Sequence, residues 1–422
     1  MKYLEEVKNA PQTGLSYPLF SERSFELKHI GGPIQTDEVV KMARVDLNRS
    51  LPNMIEPMQY ECIAAFKDHM LACPEWTTMA PYQTLVQLFS RVFARVLVGP
   101  ELGSSPQWQE TALKYTMNVV RAAPGVRAKF HPRLRWLAKY RDEETKTVFQ
   151  FRQQAAEILR PILEIRSQIS KSEDRPIYDD AVQWLVDEYK SVGKKLTAEA
   201  LAQDELLLTV ASIHSSSATE LSILFDMLDY PESMAEIRAE ISEVQKKYPT
   251  WSRNALNSLK IMDSFMKESQ RYHSFPQLTM QRVAVADWKF KDGLVIPAGT
   301  QVAFPNLEIA LDDKIHPNAS TFDPKRYLRK RDEIDSTKFH FASITDDSLH
   351  FGAGFHACPG RFLAQDAMKL IFIHLLTQYD IKYPEEGQKR PPSMPLDFNI
   401  MPNVMAPLLF KERASFSSER DQ

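Results

Sequence analysis

One long run of helical periodicity limits the folds that this chain can adopt. It starts near Thr197, continues to Tyr230 and stops at Pro231. At 1.5 Å per residue, these ~34 residues make a helix on the order of 50 Å long, enough to cross a whole domain. In its middle, residues 211–217 are mostly small or hydroxyl-bearing, and several adjacent hydroxyls compete with the backbone for hydrogen bonds and loosen a helix. The pattern predicts a central, buried helix with an interruption that needs a reason.

The remaining sequence predicts a mainly α fold with a small β-sheet. A second core-facing helix shows apolar residues at helical spacing from Leu85 to Leu97, before Gly99-Pro100. Glycine is scarce, at 13 residues against 27 prolines, which suits a helix-rich chain better than a barrel, a sandwich or a glycine-looped α/β fold. Short β-like pieces, VAVADWKF and LVIPAGTQVAF, occur only late in the chain.

Charge, cysteine content and hydropathy exclude several classes of protein. Lys and Arg number 52 and Asp and Glu 55, so the net charge of −3 argues against a nucleic-acid partner. The three cysteines, Cys62, Cys73 and Cys358, cannot form a disulfide framework or a four-cysteine zinc site. We expect Cys62 and Cys73 to be buried thiols. Since no ~18-residue apolar run occurs, the chain as given is expected to be soluble.

The most informative segment is the loop FGAGFHACPG, residues 351–360. Cys358 precedes a proline and a predicted helix start, where amide donors stabilise a thiolate. Gly354 and Gly360 allow positive φ and close backbone approach on both sides of the sulfur. His356 can donate a hydrogen bond or a positive charge to an anion, and Phe351 supplies an apolar wall. Together they predict a pocket in which a single thiolate binds a large, flat cofactor.

Two other interpretations of this loop are open. Cys358 could be an ordinary buried cysteine, the commonest fate of a free thiol. Residues 352–357 also match G-x-G-x-x-A, which would suggest a nicotinamide dehydrogenase. That motif requires a strand-plus-helix unit and an acidic residue ~20 positions later, and neither is evident here.

The loop closely resembles F-x-x-G-x-[HR]-x-C-x-G of the cytochrome P-450 haem-thiolate monooxygenases. The resemblance implies that Cys358 is the axial ligand of the iron of haem b, with Phe351, Gly354, His356 and Gly360 around the cofactor. It also implies one domain covering residues 1–422, with a mainly α cytochrome P-450 fold.

Motifs upstream of the loop extend the resemblance. The family's E-x-x-R corresponds to Glu268 and Arg271, and its F-x-P-x-R-[FY] to residues 322–327, which include Arg326. These three charged residues would form a buried triad that supports the haem loop, provided that every member is hydrogen-bonded. Arg282, eleven residues beyond Arg271, falls where the family places an arginine on a haem propionate.

The central helix resembles the family's A-G-x-[DE]-T-T with two departures. Ser215 stands in place of the usual threonine and retains the hydroxyl that holds dioxygen and passes protons to it. His214 stands in place of the acid and could also relay protons near neutral pH. We therefore predict Ser215 and His214 as the catalytic residues.

The resemblance implies a haem-dependent monooxygenase that inserts one oxygen atom of O2 into an apolar small molecule. Details of the sequence are most similar to filamentous-fungal members that oxidise terpenoids and indole-diterpenoids. Electrons would come from NADPH through NADPH–cytochrome P-450 reductase, at the cytosolic face of the endoplasmic reticulum membrane. Substrate contacts are predicted at residues 211–215, at Phe275, Leu278, Thr279 and Met280, and in the turn 399–401.

The start of the chain departs from the family pattern. Members normally open with a membrane anchor, a first helix and the first strands of the small sheet, whereas MKYLEEVKNAP resembles the helix that follows them. The expectation is a fold incomplete at the N-terminus, with membrane contact only through an anchor absent from this chain. An alternative is a non-catalytic, truncated haem-binding remnant. No haem contact is assigned within residues 1–80.

Overall fold

The structure, a computed structural model, describes residues 1–168 and 178–413. Its α-helices are α1 Leu4–Asn9, α2 Tyr17–Ser24, α3 Leu27–Ile30, α4 Asp37–His69, α5 Pro81–Leu97, α6 Gly99–Gly103, α7 Pro106–Lys129, α8 Ala138–Arg141, α9 Glu143–Gln168, α10 Ala181–Ser191, α11 Ala198–Asp229, α12 Pro231–Lys247, α13 Arg253–Ser258, α14 Lys260–Tyr272, α15 Asn306–Ala310, α16 Arg326–Glu333 and α17 Arg361–Gln378. Two short 3₁₀ helices cover Pro132–Leu137 and Gly354–His356. The strands are β1 Leu15–Ser16, β2 Thr77–Met79, β3 Leu278–Ala284, β4 Trp288–Lys289, β5 Val295–Ile296, β6 Gln301–Pro305, β7 Tyr379–Lys382, β8 Met394–Leu396, β9 Asn399–Met401 and β10 Leu408–Glu412.

The predicted central helix is confirmed as α11. Thr197 caps its first turn, accepting a hydrogen bond from the amide of Ala200 at 3.2 Å, and Pro231 begins the next helix directly after it. Helices α5, α9, α14 and α17 all pack against α11. Because α11 is covered on most sides, its hydroxyl residues lie inside the molecule and not on its surface.

The β structure is small, as predicted, and consists of antiparallel pairs. One sheet has the strand order β1-β3-β6, another β2-β10-β7, and β4-β5 and β8-β9 form two-stranded pairs. In the first sheet the pairing of β3 with β6 is interrupted between Thr279 and Arg282, and Met280 there has a φ of 53°. A β-bulge re-aims side chains next to functional sites. Here it turns the side chain of Arg282 into the protein, where only 2% of the residue is exposed.

Two clusters of buried apolar side chains form the core of the described residues. The larger cluster includes residues from Ile30 to Phe410 and surrounds α11, while the smaller cluster joins α1 to β3 and to the segment before the cysteine loop. Cys62 and Cys73 are fully buried, as predicted. Across residues 1–168 and 178–413, none of the helices combines the length and the apolar character that a membrane crossing requires.

Candidate functional site

A cavity of about 500 Å³ lies between α11, the cysteine loop, the β3 bulge and the first half of α4. Cys358 faces it from one side and Ala211, Ser212 and Ser215 of α11 from the other. Most of the remaining wall is apolar and includes Val39, Val40, Leu47, Phe93, Leu97, Leu207, Leu208, Phe275, Met280, Phe341, Phe351 and Leu363. A single thiol therefore faces a hydrophobic chamber across from a row of hydroxyls.

The cysteine loop presents the sulfur of Cys358 at the N-terminus of α17. The amide of Cys358 donates a hydrogen bond to the carbonyl of Phe351 at 2.8 Å, which closes the loop into a hairpin-like turn. Burial raises the pKa of the Cys358 thiol, whereas hydrogen bonds from the amides of Gly360 and Arg361 and the charge of Arg361 oppose that effect. The predicted amide donors are thus present. The thiol is set up to become a thiolate when a cation binds opposite it.

Two of the loop's glycines, Gly354 and Gly360, are required for different structural reasons. Gly354 has a φ of 66°, and a Cβ there would collide with the backbone carbonyl of Lys8. The expectation of a positive φ at Gly360 is wrong, since its φ is −85°. A Cβ on Gly360 would meet no protein atom within 4 Å, and the residue lines the cavity. Gly360 therefore keeps open the space into which a side chain would otherwise project.

The cavity wall carries two guanidinium groups, those of Arg282 and Arg44, without a carboxylate partner among the described residues. Arg282 has no carboxylate within ion-pair distance among the described residues, and its one hydrogen bond, at 2.7 Å, goes to the carbonyl of Gln281. Burial lowers the pKa of Arg282 to about 10. Burial and the neighbouring charges of Arg282 and Arg44 lower the pKa of His356 to about 4. These groups form a site that is complementary to a negatively charged ligand.

Two cavity residues near these cations lie within residues 1–80 and were not predicted. The guanidinium of Arg44, on α4, sits 3.9 Å from the centre of the Phe355 ring and lines the cavity. Tyr17, the first residue of α2, packs against His356 with ring centres 5.9 Å apart and lies below Arg282 at 5.6 Å. Arg44 follows Lys41 on a helix and resembles a solvated charge. Nothing in the sequence distinguishes it from its neighbours.

The residues around the cavity fit haem. Haem needs one axial ligand for iron, an apolar slot for the macrocycle and cationic partners for two propionates. Cys358 places a thiol on the wall that would serve as the ligand, Phe351 packs edge-on against Phe341 at 5.6 Å in the apolar wall, and Arg282 is a buried guanidinium whose charge an anion would balance. No group of three or more potential metal-ligating side chains occurs among the described residues.

The two predicted catalytic residues of α11 face different directions. Ser215 lines the cavity, and its hydroxyl donates to the carbonyl of Ala211 at 2.9 Å, which leaves its oxygen free to accept. His214 is not part of the wall. Its Nδ1 lies 3.3 Å from the hydroxyl of Tyr82 and its Nε2 lies 2.9 Å from the hydroxyl of Thr116, so the ring joins α11 to α5 and α7. Burial lowers the pKa of His214.

The predicted substrate contacts are divided in the same way. Phe275, Thr279 and Met280 line the cavity, but Leu278 and the turn 399–401 do not. Leu278 instead pairs with Pro305 of β6, and the amide of Ile400 donates to the carbonyl of Phe275 at 2.7 Å. Residues 399–401 form strand β9, which pairs with β8. The backbone of β9 thus supports the segment that carries Phe275 and does not reach the cavity.

The charge triad of Glu268, Arg271 and Arg326 is confirmed behind the cysteine loop. Arg271 donates to both carboxylate oxygens of Glu268 at 2.9 and 2.7 Å, and Arg326 Nε lies 3.1 Å from each of them. The other guanidinium N–H groups donate to backbone carbonyls between residues 310 and 321. Every member is hydrogen-bonded, the condition under which a buried charge cluster is stable.

The fold and this site define the class of haem-thiolate proteins, in which one cysteine beneath a long central helix holds the iron. Comparison with known sequences gives the family: the Cytochrome P450 family model matches residues 53–406, and the chain belongs to that family.

Several proteins similar in sequence to this chain are fungal. The chain is 39% identical over 418 residues to the cytochrome P450 monooxygenase cheE of Chaetomium globosum, covering 98% of this chain and 81% of that protein. It is 36% identical over 419 residues to the pyrichalasin C-7 hydroxylase of Pyricularia grisea, covering 98% and 82%. Among solved structures, retinoic acid-bound cyanobacterial CYP120A1 has the same fold, with a TM-score of 0.72 at 17% identity, covering 98% and 88%. The chain is a cytochrome P450 monooxygenase.

Proposed function

We propose that the protein, acting as one haem domain, hydroxylates a bulky apolar intermediate of fungal secondary metabolism. The observation that carries this proposal is the pairing of one cavity-facing thiol with a buried arginine, Arg282, that has no carboxylate partner among the described residues. Haem held by a thiolate supplies O2 activation, because the thiolate pushes electron density that favours O–O cleavage.

The residues around the cavity would divide the work. Cys358 would bind the iron, and Arg282, Arg44 and His356 would hold the propionates through charge-assisted hydrogen bonds. Phe351 would keep water from the sulfur. Ser215, which lines the cavity opposite the thiol, would accept and pass on the protons that the reaction consumes. For His214 the relay role has no support from the cavity geometry, because both ring nitrogens are engaged by Tyr82 and Thr116.

The apolar wall favours a bulky hydrocarbon-rich substrate. Phe93, Leu97, Leu207, Leu208 and Phe275 leave few hydrogen-bonding groups at that part of the chamber. The terpenoid and indole-terpenoid class remains a proposal on sequence resemblance. The pyrichalasin C-7 hydroxylase among the relatives favours hydroxylation of a carbon over other oxidations. Turnover of a panel of terpenoid, indole-terpenoid and pyrichalasin-type compounds would identify the substrate class.

We further propose that NADPH–cytochrome P-450 reductase supplies the electrons, at the cytosolic face of the endoplasmic reticulum membrane. Membership of the family and the fungal relatives support this assignment. Reduction of the purified protein by NADPH should require added reductase.

The test of the haem assignment is the absorption spectrum of the reduced, carbon-monoxide-bound protein. The natural protein should show the strongly red-shifted Soret band of a thiolate ligand, and Cys358→Ser should lose it. Cys62→Ala is the matched control, since Cys62 is a buried thiol away from the cavity and its substitution should leave the band unchanged. A natural protein without the band would favour the alternative, a haem-binding remnant without activity.

A further inference from the structure

The cavity has a polar end that the proposed roles do not use. Past Ser215 it continues along α11 to a region lined by Ser222, Ser269, Gln270, His273 and His350, here called the polar arm. These residues come from the end of α11, from α14 and its C-terminus, and from the start of the cysteine loop. The polar arm therefore joins the reaction chamber to the outer end of α14.

Two side chains of the polar arm have buried acceptors without a protein partner. Gln270 is only 8% exposed, lines the cavity, and its Oε1 has no hydrogen bond among the described residues. The Nε2 of His350 is buried and lacks a hydrogen bond in the same way, while burial lowers the pKa of this ring to about 3, so it is neutral at pH 7. Buried polar groups of this kind are normally satisfied by ordered water that makes two to four hydrogen bonds.

A titratable pair closes the outer end of the polar arm. Asp226 is 1% exposed and accepts hydrogen bonds from Ser269 at 2.5 Å and from Arg390 at 2.8 Å. His273 Nδ1 lies 2.8 Å from Asp226 Oδ1, at ion-pair distance although not along a hydrogen-bond direction. The other face of the imidazole meets Tyr272, edge-on at 4.9 Å. The His273 side chain is 28% exposed, and the ring lines the polar arm.

The hydroxyls of α11 connect this pair with the chamber. Ser215, Thr219, Ser222 and Asp226 are spaced by four, three and four residues, so they share one helix face. Ser215 and Ser222 are about 10 Å apart along the helix at 1.5 Å per residue. The hydroxyl of Thr219 donates to the carbonyl of Ser215 at 2.9 Å and not to another hydroxyl. A continuous hydrogen-bonded path thus needs water between the side chains.

The other titratable side chains of the wall are poorly suited to deliver protons to Ser215. His350 and His356 have pKa values lowered by burial to about 3 and about 4, burial raises the pKa of Tyr17, and arginine stays charged at neutral pH. Imidazole is the side chain that exchanges protons near pH 7. His273 is the histidine of the wall that has a carboxylate partner and solvent exposure.

We propose that the polar arm holds a short file of ordered waters that carries protons from His273, paired with Asp226, to the hydroxyl of Ser215. Each proton that leaves His273 is replaced from solvent at the exposed edge of its ring, so no other reactant is needed. The proposal rests on the proposed function, because it assigns the source of the protons that oxygen activation consumes.

The kinetic test compares His273→Gln with the matched control His131→Gln, an exposed histidine just before the 3₁₀ helix Pro132–Leu137. Glutamine hydrogen-bonds but cannot carry the proton. We expect His273→Gln to lower the product formed per NADPH by about tenfold, less than the roughly 10²–10⁴-fold effect of a group that transfers a proton directly in the reaction, and to release peroxide instead. His131→Gln should match the natural protein. A higher KM with an unchanged product ratio would show that the polar arm binds substrate, and would overturn the proposal.

The structural test does not depend on turnover. A crystal structure of the haem-loaded protein should show waters running from Gln270 Oε1 past Ser222 to Thr219, and Gln270→Leu should lose those nearest residue 270. A polar arm filled by side chains would overturn the proposal. In all variants the thiolate Soret band should persist, so failure of the water file is distinguishable from failure of the haem assignment.

Discussion

Buried arginines on the two sides of the cysteine loop differ in their hydrogen-bond and ion-pair partners. Behind the loop, Arg271 and Arg326 share the carboxylate of Glu268, and their remaining N–H groups donate to backbone carbonyls. In front of it, Arg282 is equally buried but has a single hydrogen bond, to the carbonyl of Gln281. The triad is complete within the chain, whereas the cavity face is complementary to an anion. Binding of an anionic ligand should therefore stabilise the arrangement around Arg282, whereas the triad needs no ligand for its stability.

The largest effect should follow from breaking the triad. Glu268→Gln would leave two buried guanidinium groups without a counter-charge, and removing one partner of such a cluster costs about 3–5 kcal/mol of the free energy of unfolding. Denaturant unfolding with and without haem would measure it. The control is Glu143→Gln, whose 85%-exposed side chain pairs with Lys146 on the surface and should change stability by no more than about 0.5 kcal/mol. Equal effects of the two substitutions would contradict the structural role of the triad.

The next effect concerns the cavity face. Arg282→Gln should weaken haem binding by about 10–100-fold, since a charge-assisted hydrogen bond contributes about 1.5–3 kcal/mol. The free energy of unfolding of the haem-free protein should stay the same or rise, because a buried, unpaired guanidinium is removed. Haem titration and denaturant unfolding measure the two quantities. Arg329→Gln, at an exposed pair with Asp323, is the control for haem binding. A haem-free protein destabilised as strongly as the Glu268 variant would contradict the comparison.

A second buried glutamate extends the comparison to pH. Glu220 is fully buried, neither carboxyl oxygen has a hydrogen bond to any residue in 1–168 or 178–413, and burial raises its pKa well above the ordinary value of 4.5. The folded protein keeps a proton that the unfolded chain releases above pH 4.5, so this group's contribution to stability is lost as pH rises toward the raised pKa. Glu220→Gln should be more stable than the natural protein by about 1–2 kcal/mol at pH 8, with a difference that vanishes below pH 4. A difference independent of pH would contradict this assignment.

The smallest effect is expected at His214. Loss of its bonds to Tyr82 and Thr116 in His214→Gln should cost about 1 kcal/mol of unfolding free energy, since glutamine replaces part of them. Product formed per NADPH should stay near the natural value in His214→Gln and fall in Ser215→Ala. If both variants lost product per NADPH equally, His214 would take part in proton transfer as the sequence predicted.

Features that depend on residues close together in the chain could be predicted from the sequence. The helical periodicity from near Thr197 and the stop at Pro231 predicted α11 to within a residue or two. The thiol and its amide donors followed from the cysteine-loop motif, whose members are neighbours in the chain. The triad joins Glu268 and Arg326, 58 residues apart, and was implied by the family resemblance.

Features that depend on distant packing were not predictable. Which way His214 turns depends on Tyr82 and Thr116, each about a hundred residues away. Arg44 joins the cavity only because α4 crosses the cysteine loop, and the turn 399–401 leaves the wall because its amide bonds are used behind Phe275. Gly360 was assigned a positive φ because glycine permits one, but open space and not backbone strain explains the residue.

The contact between Lys8 and Gly354 has a consequence for biosynthesis. It joins residues 346 positions apart, and the Lys8 carbonyl lies where a Gly354 side chain would be. At about 5–20 residues per second, the ribosome adds Gly354 roughly 20–70 s after it has added Lys8. Helix α1 must wait for most of the chain before it can pack, so cofactor loading and closure of the chain's beginning over the cysteine loop are both late events of synthesis.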